Sequence, residues 1–91
     1  DLYPEAHTHL DCEEYLKSLK KYTPASKLYA LGEVGPIPDV AAIAKKGLEW
    51  LYYMTWSNDF GKTELYTTKD ELRRAYDCPA AITLSQLPKL Y

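Results

Sequence analysis

The run Glu49-Trp50-Leu51-Tyr52-Tyr53-Met54-Thr55-Trp56-Ser57 constrains the fold most, because apolar residues stand on both alternating faces of any strand it forms. Successive side chains of a strand point to opposite faces, so this segment asks for cover above and below. Strands that read this way are usually buried on both faces of a parallel sheet clad in helices. The expectation is a buried strand, with Trp50 in the core at its start, Trp56 at its downstream end, and Tyr52 and Tyr53 on opposite faces.

A second apolar run, Lys27-Leu28-Tyr29-Ala30-Leu31-Gly32-Glu33, leads into Val34-Gly35-Pro36-Ile37-Pro38-Asp39, where the prolines dictate a loop. A charged residue at the downstream mouth of a buried strand is the arrangement from which barrel enzymes build active sites, which singles out Glu33. Helices alternate with these strands. Cys12, Tyr15, Leu16, Leu19 and Tyr22 fall at helical spacing, opposite Glu13, Glu14, Lys17, Lys20 and Lys21, with Thr8 or Asp11 as the start and Thr23-Pro24 as the end. Asp39 caps a short helix whose buried stripe is Val40, Ile43 and Ala44 and which Gly47 stops. Thr68 and Glu71 match a capping box for a last helix to Asp77, followed by an irregular tail from Ile82 to Tyr91. Asp1-Leu2-Tyr3 reads as the end of a further strand.

Strands recurring every 25–30 residues or so with helices between them imply right-handed βαβ crossovers, so all strand ends face one way. Tyr3, Glu33 and Trp56 then share one rim. Three parallel strands leave edges that invite pairing with other chains, so they need neighbours. A doubly wound sheet usually advertises a Gly-rich phosphate loop, and none of the 4 glycines is spaced for one. A closed barrel of eight βα units supplies neighbours on both sides. The fold class expected is α/β: the C-terminal portion of a (β/α)8 TIM barrel, from about the end of strand six to strand eight, incomplete in this chain, with residues 1–91 read as a fragment of a larger catalytic domain.

Other functions are disfavoured by composition. With 91 residues and a net charge of -2, the chain carries interspersed charges and no basic stripe for nucleic acid. Its apolar runs fall short of the roughly 20 residues that span a bilayer. Cys12 and Cys78 are too few and too far apart for a metal or redox motif, and read as free, partly buried thiols, with a pairing left open. His7 and His9 have ligand-like spacing in the first loop, but His-x-His without a third ligand is a weak metal signal. No metal and no cofactor are assigned; His7 is kept as a cleft-lining candidate. Asp59 either touches substrate or turns the loop.

The segment Ala30-Leu31-Gly32-Glu33-Val34-Gly35-Pro36-Ile37-Pro38-Asp39, followed by Trp50, Tyr53, Met54-Thr55-Trp56-Ser57 and Asp59-Phe60, resembles the C-terminal region of family 26 glycoside hydrolases, mostly β-mannanases. Asp70-Glu71-Leu72 and Ile82-Thr83-Leu84-Ser85-Gln86-Leu87-Pro88 are similar to that family's ending, and Asp1-Leu2-Tyr3 to its strand-six end. The resemblance implies a (β/α)8 barrel that cleaves β-1,4-linked mannose polymers with retention. By position it makes Glu33 the nucleophile, Tyr3 the tyrosine that orients it, and Trp56 the tryptophan that stacks on sugar. Gly32 departs from the small polar residue usual before the nucleophile. The family's acid/base, a Glu at the end of strand four, has no counterpart here, so the rest of the barrel is expected from a missing N-terminal part and the fragment alone is expected to be inactive. The implied partner is a polysaccharide, mannan, glucomannan or galactomannan, and a polymer substrate implies secretion. A non-catalytic carbohydrate-binding or interaction domain, in which Glu33 and Trp56 bind without chemistry, is the alternative, and a small structural domain with no site the third reading.

Overall fold

The computed structural model describes residues 2–88. Asp1 and residues 89–91, assigned above to the first strand end and the tail, lie outside the described residues. The elements are α1 (Glu13–Tyr22), β1 (Tyr29–Val34), α2 (Val40–Lys46), β2 (Trp50–Thr55) and α3 (Lys69–Asp77), with 3₁₀ turns at Asn58–Phe60 and Leu84–Gln86.

β1 and β2 pair in parallel, as the alternating pattern predicts, with Tyr29 opposite Trp50, Leu31 opposite Tyr53 and Val34 opposite Thr55. Leu2 flanks the other side of β1 through a parallel bridge to Val34. Its N–H donates to the Glu33 carbonyl at 2.9 Å and its carbonyl accepts from Gly35 N–H at 3.0 Å. The three strand ends therefore lie side by side in the order Leu2, β1, β2. That arrangement fixes where Tyr3 and Glu33 emerge.

Local chemistry explains the helix ends. Asp39 accepts from Ala42 N–H at 3.0 Å, closing the start of α2. Gly47 ends it at φ 64°, in the left-handed region, with its N–H bonded to α2 carbonyls. Thr68 and Glu71 form both halves of the capping box of α3. α1 departs from expectation. The sequence offers Thr8 or Asp11 as the cap, but Cys12 holds that position at φ 60° without a side-chain cap bond. Thr8 lies upstream in a turn closed by its N–H on the Glu5 carbonyl at 3.1 Å, too far from Glu13 to cap the helix, and Asp11 reaches past Cys12 to accept from Glu13 N–H at 3.1 Å. Lys46 at the end of α2 pairs with Asp11 and Glu13, a mostly exposed tie that water screens and that adds little to stability.

The core is small: Cys12, Leu31 and Val34 are buried, with Leu2, Trp50 and Tyr53 packed against them. Trp50 also donates its indole N–H to the Asp11 carbonyl at 3.0 Å. Burial holds the Cys12 thiol above its ordinary pKa, with the Asp11 charge adding to it; Cys12 and Cys78 are both free.

Cover on both faces of β2 is not found among the described residues, which corrects the reading of that run. Leu51, Tyr52 and Met54 are each more than half exposed, and no β2 residue is buried. Alternation of apolar residues states what a strand needs, and burial follows only from the neighbours it has. The expected stripes of α1 and α2 are shallower too: Leu16 alone in α1 and nothing in α2 is buried.

Candidate active site

Glu33 stands at the penultimate position of β1, half-buried, where the pleat turns it away from the neighbouring Val34. Tyr3 reaches it from the adjacent strand end: the phenol Oη donates a hydrogen bond to Glu33 Oε2. The bond to Glu33 raises the Tyr3 pKa above the ordinary tyrosine value, with desolvation and the Glu33 charge in support, so the phenol stays protonated as a donor. The pairing spans 30 residues of sequence. It exists because Leu2 is laddered beside β1.

Tyr3 is itself held. The residue before a proline is kept extended, and Pro4 follows Tyr3. Its ring meets Phe60 edge to face, with centroids 5.7 Å apart and planes at 63°, and Phe60 stacks on Tyr66 at 4.1 Å and 28°. Gly35 leaves room for this: a Cβ there lies 3.1 Å from Phe60 Cε1 and 3.3 Å from Tyr3 Cδ1. Gly32, by contrast, faces open space, so the place where the resemblance expects a small polar residue presses on nothing.

Trp56 follows β2, its N–H bonded to the Val34 carbonyl at 3.2 Å. The residue is 52% exposed and offers a flat apolar side chain to a ligand. Asp59 is exposed in the 3₁₀ turn, where its carbonyl accepts from Thr63 Oγ1 at 2.9 Å.

His7 belongs to a second cluster. Its Nδ1 stands 3.7 Å from Glu71 Oε2, and its backbone N–H donates to the Tyr66 carbonyl at 2.9 Å. His9 Nδ1 must donate to the Ile37 carbonyl, 2.7 Å away, because a carbonyl can only accept. Nε2 lies 3.0 Å from Glu71 Oε2, and the doubly protonated ring makes that approach a charged hydrogen bond. The backbone N–H of Thr68 holds the Glu71 carboxyl down to about 2, with the bond and charge of His9 adding to it against desolvation. Ile37 is fixed from the other side by its N–H to Thr67 Oγ1 at 3.2 Å. The loop after Glu33 is therefore braced on two sides. Among the described residues no three His, Cys, Asp or Glu side chains converge to hold a metal ion.

The sequence reading brought Tyr3, Glu33 and Trp56 to one rim and missed Phe60, Gly35, Tyr66, His9 and Glu71 as the residues that support it. Phe60 did carry a signal, the single phenylalanine of the chain, set between polar Ser57-Asn58-Asp59 and Lys62-Thr63-Glu64.

Set against known proteins, the chain matches no family model and no solved structure. It is similar to mannan endo-1,4-beta-mannosidase A of Piromyces sp, 27% identical over 62 residues, which is 68% of this chain. It spans 10% of the length of that curated relative. The relationship is mannanase-like, weak and partial.

Proposed function

We propose that this chain is part of a retaining endo-acting glycoside hydrolase that cleaves β-1,4-mannosidic bonds, with Glu33 as nucleophile. The observation that carries this reading is the Tyr3 hydroxyl bonded to Glu33 at the ends of two adjacent parallel strands. The partial similarity to a mannan endo-1,4-beta-mannosidase supports it. The domain is the C-terminal portion of a (β/α)8 barrel of the family 26 type, acting on mannan, glucomannan or galactomannan outside the cell.

The chemistry follows from the two oxygens of one carboxylate. Tyr3 occupies Oε2, which leaves Oε1 to attack the anomeric carbon. The bond to the leaving sugar breaks as a second carboxyl protonates its oxygen, and the covalent glycosyl-enzyme is then hydrolysed by water activated by the same group. Retention needs the two carboxyls about 5–5.5 Å apart. The partner is a Glu at another strand end, about 90–120 residues before Glu33 at roughly 30 or more residues per βα unit. Trp56 offers its exposed indole to the C–H face of a pyranose, with Asp59 and His7 lining the cleft.

In the full-length protein, Glu33→Ala is expected to cut turnover at least about a thousandfold. Azide then restores release from an aryl β-mannoside and gives the α-configured glycosyl azide, because the small anion enters from the face that Glu33 has vacated. A β-configured azide reassigns Glu33 as the acid/base. Undiminished turnover in Glu33→Ala removes it from the chemistry and leaves the carbohydrate-binding reading.

A further inference from the structure

We infer that Phe60 is a positioning residue that holds the Tyr3 hydroxyl on Glu33, seated there by the bare face of Gly35; this deepens, and rests on, the reading of Glu33 as a nucleophile. Tyr3 needs such a support. The residue is 52% exposed, and two free side-chain torsions would let the hydroxyl swing off the carboxylate. Backbone bonds from Leu2 place the Tyr3 Cα, but they do not aim its ring.

The aim comes from the end of β2. The chain turns at Asn58, at φ 59°, and the 3₁₀ turn carries Phe60 back over the end of β1. There its ring edge packs at 63° against the Tyr3 ring, while its face rests on Tyr66 at 4.1 Å. Edge-to-face packing is directional, so it sets ring orientation as well as distance. Tyr66 is anchored through its carbonyl to His7 N–H, which ties the stack into the loop that begins at Tyr3. Gly35 completes the seat. Its N–H is committed to the Leu2 carbonyl, so the strand end cannot retreat, and a Cβ at 3.1 and 3.3 Å from the two rings pushes on the rings themselves.

Phe60 touches neither Glu33 nor the reacting atoms on this account. It acts through Tyr3, and that sets the test. In the full-length protein, Phe60→Ala and Gly35→Ala are each expected to lower kcat about tenfold with KM within about twofold, a small misplacement of an aimed group. Phe60→Leu, which keeps the bulk, recovers part of the loss and guards against misfolding. In a Tyr3→Phe background, which lacks the hydroxyl, Phe60→Ala adds less than about twofold, since coupled residues are non-additive. Independent losses in the two backgrounds, or a loss confined to KM as from a direct sugar contact, overturn the inference. Ring-labelled tyrosine followed by carbon NMR gives a readout besides activity. In Phe60→Ala the Tyr3 titration moves down toward the ordinary tyrosine range as the bond to Glu33 weakens, and an unchanged titration also overturns the inference. That titration reads the contact whether or not Glu33 is a nucleophile, so a failure of the nucleophile reading shows separately, in the azide experiment.

Discussion

β1 and β2 are equal in length and adjacent, yet Tyr29, Leu31 and Val34 of β1 are buried and no residue of β2 is. In sequence the order is reversed, since β2 is the more continuously apolar. β1 is flanked by Leu2 on one side and β2 on the other, whereas β2 pairs with β1 alone among the described residues. Burial is thus a property of position in the sheet. Composition tells only what a strand tolerates or requires. The loops at the two strand ends differ in the same sense. Ile37, after β1, is held by Thr67 and His9 from outside its own segment. The 3₁₀ turn after β2 closes its hydrogen bonds on itself, with Gly61 N–H and Lys62 N–H on the Asn58 carbonyl and Thr63 Oγ1 on the Asp59 carbonyl, and meets Tyr3 through the Phe60 ring.

The sharpest way to break this comparison is to truncate one leucine in each strand. Leu31→Ala is expected to cost about 3 kcal/mol in urea unfolding of the 91-residue chain, as for other leucines removed from a core. Leu51→Ala, at a side chain 62% exposed, should cost less than about 0.5 kcal/mol there. In the full-length protein the proposed barrel covers β2, and Leu51→Ala then rises to about 2 kcal/mol or more. Equal costs for the two leucines in the short chain contradict the comparison. A Leu51 that stays neutral in the full-length protein contradicts the barrel.

A smaller effect separates the strand ends by function. Trp56→Ala should reduce kcat/KM on mannan about tenfold to a hundredfold, in line with the loss of an aromatic contact. It should leave the Glu33 azide chemistry intact, since the proposal has Trp56 hold substrate and Glu33 react. A loss as large as that of Glu33→Ala erases the distinction drawn between the two ends.

The smallest effect concerns the brace on the loop after β1. Glu71 has its folded pKa depressed to about 2, so its contribution to stability is present above the ordinary glutamate value and is lost as pH falls through the folded value. Stability should decline between about pH 4.5 and 2, and Glu71→Gln should flatten that part of the curve. Asp11 and Glu13, held low mainly by hydrogen bonds from Lys46, titrate in acid as well, so the variant has to be compared with the parent. A curve identical in the two proteins shows that the Thr68 and His9 bonds do not fix Glu71.

What could be read from sequence follows the range of the interaction. Asp39, Gly47 and the Thr68–Glu71 box act within a few residues, and their helices begin and end where the chemistry requires. The parallel pairing of β1 and β2 was readable as well, because a parallel pair needs a crossover and the helix between these strands supplies one. The Tyr3–Glu33 bond was reached through that topology and through family resemblance. Exposure of β2, the seat at Gly35 and the grip of His9 on Ile37 depend on contacts between distant segments, for which no short pattern exists. Cys12 at the head of α1 escaped for another reason: a cysteine in the left-handed region runs against its own preference, so the surrounding fold imposes it.

The central claim is that Glu33 forms a covalent bond to the sugar. Incubating the full-length protein with a 2-deoxy-2-fluoro-mannosyl fluoride and mapping the labelled peptide by mass spectrometry tests it directly. One glycosyl adduct per molecule is expected, on Glu33, with loss of activity in step with labelling. An adduct on a different carboxylate, or continued hydrolysis of mannan with no adduct formed, contradicts it.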